Sequence, residues 1–93
     1  MSSIRDAFTL RDKTVEIGGT SFTLRRPSVI DFLESMQVAK EAPTRLYPHL
    51  VYMHLVDGGA RVFSSADEVM LGDGVLVNRI AKEIELLYEE GRD

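Results

Sequence analysis

Two runs of alternating apolar and polar residues lie between Thr14 and Leu24, and Gly18 and Gly19 separate them. Two adjacent glycines can adopt the positive φ angles that a two-residue hairpin turn requires. With this turn, Ile17 lies opposite Thr20. The register places the large apolar side chains on one face of the hairpin: Val15, Ile17, Phe22 and Leu24. We therefore predict a β-hairpin over about residues 14–25.

The rest of the chain has the spacing and the capping residues of helices. Pro27 ends the second strand, and Ser28 can cap a helix over about residues 29–41. We expect the apolar face of this helix to close over the hairpin; it consists of Val29, Phe32, Leu33, Met36 and Ala39. Further helices are predicted over about residues 44–56, 66–71 and 75–90, with a short extended segment near residues 60–63. The predicted fold class is α+β, mostly α: one small domain with an N-terminal two-stranded hairpin followed by three or four helices.

The second predicted helix is unusual because its apolar residues surround nearly its whole circumference. One interpretation is that it forms the centre of the core. The other is that part of it meets a partner protein, because tyrosine and methionine are favoured at protein interfaces. Under the second interpretation, the candidate partner-binding residues are Tyr47, Val51, Tyr52 and Met53.

Charge and composition argue against several classes of partner. Residues 1–46 carry seven Lys or Arg and six Asp or Glu, whereas residues 47–93 carry four and nine. This acidic second half opposes attraction to phosphate, so we expect no nucleic-acid partner. No apolar stretch has the length of a membrane span or of a signal-peptide core, and the chain contains no cysteine. We therefore expect no membrane partner and no export by a signal peptide, and the absence of cysteine is compatible with a reducing cytoplasm.

The reactive side chains do not form a recognisable site. His49 and His54 are five residues apart, which places them on different sides of a helix and argues against a shared metal ion. The glycines lack the spacing of a phosphate-binding loop, and no nucleophile motif surrounds the serines. We therefore expect no catalytic residue, no metal and no cofactor. Arg25 and Arg26 form a concentrated positive feature, which is either a solvated strand end or a pair of charges that orients a partner.

The segment from Val15 to Ser28, the helix after it and the segment from Leu76 to Gly91 resemble small tail assembly chaperones of long-tailed bacteriophages and prophages. The resemblance covers most of the chain. It consists of a hairpin, a proline and a helix in this order, together with the hydrophobic pattern.

The resemblance implies a non-enzymatic assembly factor of the host cytoplasm. Such a factor coats the long tape measure protein, keeps it soluble and promotes polymerisation of the tail tube protein around it. The resemblance thus implies two partners, the tape measure protein and the tail tube protein, and self-association would align copies along the client. The main alternative is a permanent small structural protein of a phage tail or head-tail junction. A regulatory adaptor or a small enzyme is a further alternative.

Overall fold

The computed structural model describes residues 3–90 of the 93-residue chain. A four-stranded antiparallel sheet with strand order β1-β2-β3-β4 lies beside the helices, so the α+β fold class is confirmed. The strands are β1 (Asp12–Ile17), β2 (Thr20–Arg25), β3 (Leu55–Asp57) and β4 (Ala60–Arg61). The helices are α1 (Ser3–Asp6), α2 (Val29–Glu41), α3 (Leu46–His54), α4 (Ala66–Val69) and α5 (Gly74–Glu89), and a 3-10 helix (Pro43–Arg45) precedes α3.

The hairpin of β1 and β2 has the predicted register. Ile17 pairs with Thr20 and Val15 pairs with Phe22 across the turn. Gly18 and Gly19 have φ angles of 59° and 82°, which residues with a Cβ atom rarely adopt. The turn chemistry and the alternating pattern therefore specify this element together.

A second glycine pair forms a second hairpin, which corrects the predicted helix over residues 44–56. Gly58 and Gly59 have φ angles of 60° and 85°, and they join β3 to β4. The helix ends at His54 because the next residues pair with β2, with Leu55 opposite Leu24. Strand pairing satisfies the backbone groups of this segment, so tertiary context overrides its helical pattern.

The other helices lie close to their predicted positions. Helix α2 has the predicted bounds, and Ser28 and Asp31 form a reciprocal capping box at its start. Helix α4 ends at Val69, two residues before the predicted end. Helix α5 starts at Gly74, where the Asp73 side chain accepts hydrogen bonds from the first turn. Gly91, where the resemblance ends, lies outside the described residues.

The core forms where the hairpin, α3 and α5 meet. It contains Leu24 from β2, Leu50 and Val51 from α3, and Ile80 and Ile84 from α5, all at most 2% exposed. Burying these side chains removes apolar surface from water, which is the main force that favours folding. None of the helices within residues 3–90 has both the length and the apolarity needed to cross a membrane.

Candidate functional site

Helix α2 presents its apolar side chains to solvent. Val29 is 77% exposed, Ile30 73%, Leu33 63% and Met36 65%. We call these four residues the outer face of α2. None of the thirteen residues of the helix is buried. A contiguous exposed apolar surface of this kind is a candidate interaction site.

The expectation that the apolar face of α2 closes over the hairpin is therefore wrong. The side of the helix nearest the body of the protein carries Asp31, Ser35 and Val38, which are half-buried. Helices α3 and α5 already supply the apolar side chains that cover the inner face of the hairpin. Helix α2 consequently packs with its less apolar side inward and leaves its apolar side without a cover.

A groove adjoins the outer face of α2. It has a volume of about 400 Å³ and lies between α2, the start of α3 and the end of α5. Its apolar lining comes from Phe32, Met36, Ala39, Leu46, Leu50 and Tyr88. The rings of Phe32 and Tyr88 make an edge-to-face contact with a centroid distance of 4.7 Å. Met36 belongs both to the groove and to the outer face, so the two form one continuous apolar surface.

Two of the predicted contact residues are in the interior. Val51 is 1% exposed and Met53 is 2% exposed. Neither side chain offers surface to a partner, so the expectation that they form part of an exposed contact is wrong. The apolar circumference of α3 reflects its central position, which was the other interpretation of the same pattern.

Tyr47 and Tyr52 are half-buried and have polar partners within the chain. The hydroxyl of Tyr47 donates a hydrogen bond of 2.6 Å to Oε1 of Glu85 on α5. This bond, with burial and the negative charge of Glu85 as smaller causes, raises the pKa of Tyr47 above its ordinary value. The hydroxyl of Tyr52 accepts a hydrogen bond of 2.6 Å from Arg61, whose guanidinium also lies over the tyrosine ring. Both tyrosines thus connect elements of the fold.

Arg25 and Arg26 also have partners within the chain. The guanidinium of Arg25 donates to the carbonyl of Gly59 at 2.6 Å, which links β2 to the second hairpin. Arg26 forms an ion pair with Glu90, just beyond the end of α5, and Lys13 lies 3.6 Å from the same carboxylate. These contacts hold the strand ends against α5. Arg25 and Tyr52 both contact the second hairpin, at Gly59 and Arg61 respectively, whereas Arg26 pairs at the end of α5.

His54 is the polar residue at the centre of the molecule. It is 0% exposed. Its Nδ1 donates to the carbonyl of Arg25 at 2.8 Å, and its Nε2 accepts from the hydroxyl of Tyr88 at 2.7 Å. Burial lowers the pKa of His54 below its ordinary value of 6.5, which favours the neutral ring that this pattern requires. Burial also raises the pKa of Tyr88 to about 12. Because both ring nitrogens are engaged and no surface is exposed, His54 joins α3, β2 and α5 and has no contact with solvent.

The described residues thus offer apolar surface for binding. Within residues 3–90, no group of three or more His, Asp or Glu side chains is placed to hold a metal ion. Among the described residues, the outer face of α2 brings together four large exposed apolar side chains, and its groove adjoins them. The sequence pattern identified Val29, Leu33 and Met36 as one helical face but assigned that face to the core.

Comparisons with protein-family models, with curated proteins and with solved structures found no significant match. Among the described residues, the outer face of α2 and its groove form the candidate binding surface.

Proposed function

We propose that the protein is a non-enzymatic tail assembly chaperone of a long-tailed bacteriophage or prophage. In this role it binds the tape measure protein in the host cytoplasm, keeps it soluble and promotes assembly of the tail tube around it. The outer face of α2, rather than α3, contacts the client. The observation that carries this proposal is the exposure of Val29, Ile30, Leu33 and Met36, each 63% exposed or more.

The exposed face suits a client that is long, helical and apolar. Such a client aggregates unless its apolar surface is covered before its permanent partner arrives. An amphipathic helix of the client can pack against the side chains of α2, as two helices pack in a coiled coil or a bundle. Each large apolar side chain that is fully covered contributes on the order of 1.5–3 kcal/mol. Many copies along one client would add their contributions.

The proposal is tested by co-expression with the tape measure protein of the same genome. We expect the soluble fraction of the tape measure protein to rise when this chain is present. Leu33→Asp places a charge on the outer face and should abolish the rise. The matched control is Leu71→Asp, because Leu71 is 89% exposed but follows α4 rather than lying on α2. Thermal unfolding of both variants checks that each retains the fold.

Two results would overturn this function. One is an equal soluble fraction of the tape measure protein with and without this chain. The other is recovery of the chain in stoichiometric amounts from purified mature particles, which would identify it as a permanent structural component of the tail or the head-tail junction.

A further inference from the structure

The groove beside α2 has the dimensions of a site for part of one helix. Phe32, Met36 and Ala39 follow one another at spacings of four and three residues, so they form one ridge along α2. This ridge extends for about 10 Å, or two helical turns. Leu46 and Leu50 form the floor, and the end of α5 forms the opposite wall. A helix that lies in the groove meets apolar side chains from α2 and from α3.

The opposite wall is acidic. Among the lining residues, the charged side chains are Glu85 and Glu89, one turn apart on α5. The hydroxyl of Tyr47 donates to Glu85, which holds this carboxylate at the wall. Glu89 is exposed. Two carboxylates on one wall favour cations on the facing side of an occupant and oppose anions there.

We propose that this groove binds an amphipathic α-helix that carries lysine or arginine along one flank. The apolar face of the occupant packs on Phe32, Met36 and the half-buried Leu46, and its basic flank pairs with Glu85 and Glu89. The identification of this helix as a segment of the tape measure protein rests on the proposed function. The preference of the groove for a basic amphipathic helix is independent of that function. Charge complementarity therefore selects which helices of a client the protein holds and in which direction they lie.

The test uses two synthetic helical peptides of about 18 residues, which make five turns. Both have the same leucine-rich apolar face and a fluorescent label, and their flanks carry lysine in one peptide and glutamate in the other. Fluorescence anisotropy measures the Kd of each for the full chain. We expect the lysine peptide to bind at least about tenfold more tightly at low salt, with a difference that shrinks as salt is added.

Variants of the protein test whether the preference for the lysine peptide arises from the two carboxylates of the groove. Glu85→Gln combined with Glu89→Gln should remove the preference for the lysine peptide, because glutamine keeps the shape of the wall and removes its charge. The matched control is Glu16→Gln combined with Asp57→Asn, two exposed carboxylates on the sheet, and it should retain the preference. Met36→Asp should weaken the binding of both peptides about tenfold or more, because it places a charge on the apolar ridge.

Three results would overturn the inference. Equal binding of the two peptides would show that the acidic wall does not select the occupant. Unchanged binding to Met36→Asp would place the peptides outside the groove. Sedimentation of the unbound chain as a dimer that Met36→Asp dissociates would assign the groove to a second copy. If the lysine peptide binds as expected while the solubility of the tape measure protein is unchanged, the groove chemistry stands and the proposed function fails.

Discussion

Helices α2 and α3 both carry several large apolar side chains but have opposite surroundings. Four of the nine residues of α3 are buried, whereas none of the thirteen residues of α2 is buried. Helix α3 lies between the hairpin and α5, where its apolar circumference meets side chains on several sides. Helix α2 lies at the edge of this core and turns Leu33 and Met36 toward solvent. The difference teaches that a helix with an apolar face enters the core only when no other element already occupies that part of the core.

The two helices also differ in what holds them in place. Helix α3 has no side-chain hydrogen bond at its start, so packing maintains it. Helix α2 has a reciprocal capping box between Ser28 and Asp31. Local hydrogen bonding thus supports the helix that has little packing.

The largest expected difference between the helices is in the cost of removing a leucine. Leu50→Ala on α3 should lower the free energy of unfolding by about 2–4 kcal/mol, because it leaves a cavity in the core. Leu33→Ala on α2 should change it by less than about 0.5 kcal/mol, because the side chain is already in water. Urea unfolding followed by circular dichroism measures both. A loss of similar size at Leu33 would show that the outer face of α2 is covered within the chain.

The next largest effect is expected at the end of α3. Tyr88→Phe removes the hydroxyl that donates to Nε2 of His54 and leaves this buried acceptor without its partner. The cost should be about 1–3 kcal/mol. Tyr52→Phe is the control, since its hydroxyl accepts from an exposed arginine, and it should cost less than about 0.5 kcal/mol. Equal costs in urea unfolding would mean that the contact with His54 does not stabilise the end of α3.

A smaller effect tests the difference in capping. Ser28→Ala should lower the free energy of unfolding by about 1 kcal/mol, because the start of α2 loses its side-chain acceptor. Thr44→Ala, in the 3-10 helix before α3, should change it by less than about 0.5 kcal/mol. Chemical denaturation of the two variants gives the comparison. A greater loss at Thr44 than at Ser28 would contradict the view that capping holds α2 and packing holds α3.

The last expected effect is a change of stability with pH, caused by the titration of His54. Its folded-state pKa is lowered by burial, so the unfolded chain takes up a proton at a higher pH than the folded chain does. The contribution of neutral His54 to the free energy of unfolding is therefore complete above the ordinary pKa of 6.5. This contribution decreases as the pH falls below 6.5 toward the lowered folded-state pKa. Unfolding free energies between about pH 7.5 and pH 5.5 should show this decline.

Two substitutions test whether His54 is the titrating group. His54→Asn keeps a donor for the carbonyl of Arg25 and removes the titration, so its stability should vary less over the same range. His49→Gln, at the half-buried histidine of α3, should retain the decline. If the wild-type protein and His54→Asn have the same pH profile, another group is responsible.

Much of the fold follows from local patterns. The hairpin over β1 and β2, the bounds of α2 and the position of α5 were predicted to within two residues, because turn glycines and capping residues act on their immediate neighbours. The strand at Leu55–Asp57 was not predicted, because it pairs with β2, more than 30 residues earlier in the chain. The Gly58-Gly59 pair has the same turn chemistry as Gly18-Gly19 and was a signal for this second hairpin.

The sequence by itself determined which residues form the apolar face of α2 and that α3 is apolar around nearly its whole circumference. Only the tertiary structure decided that Val51 and Met53 are buried while Leu33 and Met36 are exposed. The physical reason is that periodicity shows which side chains share a face but does not show what covers that face. In this protein, α3 and α5 fill the space above the hairpin, and the apolar side of α2 is left at the surface.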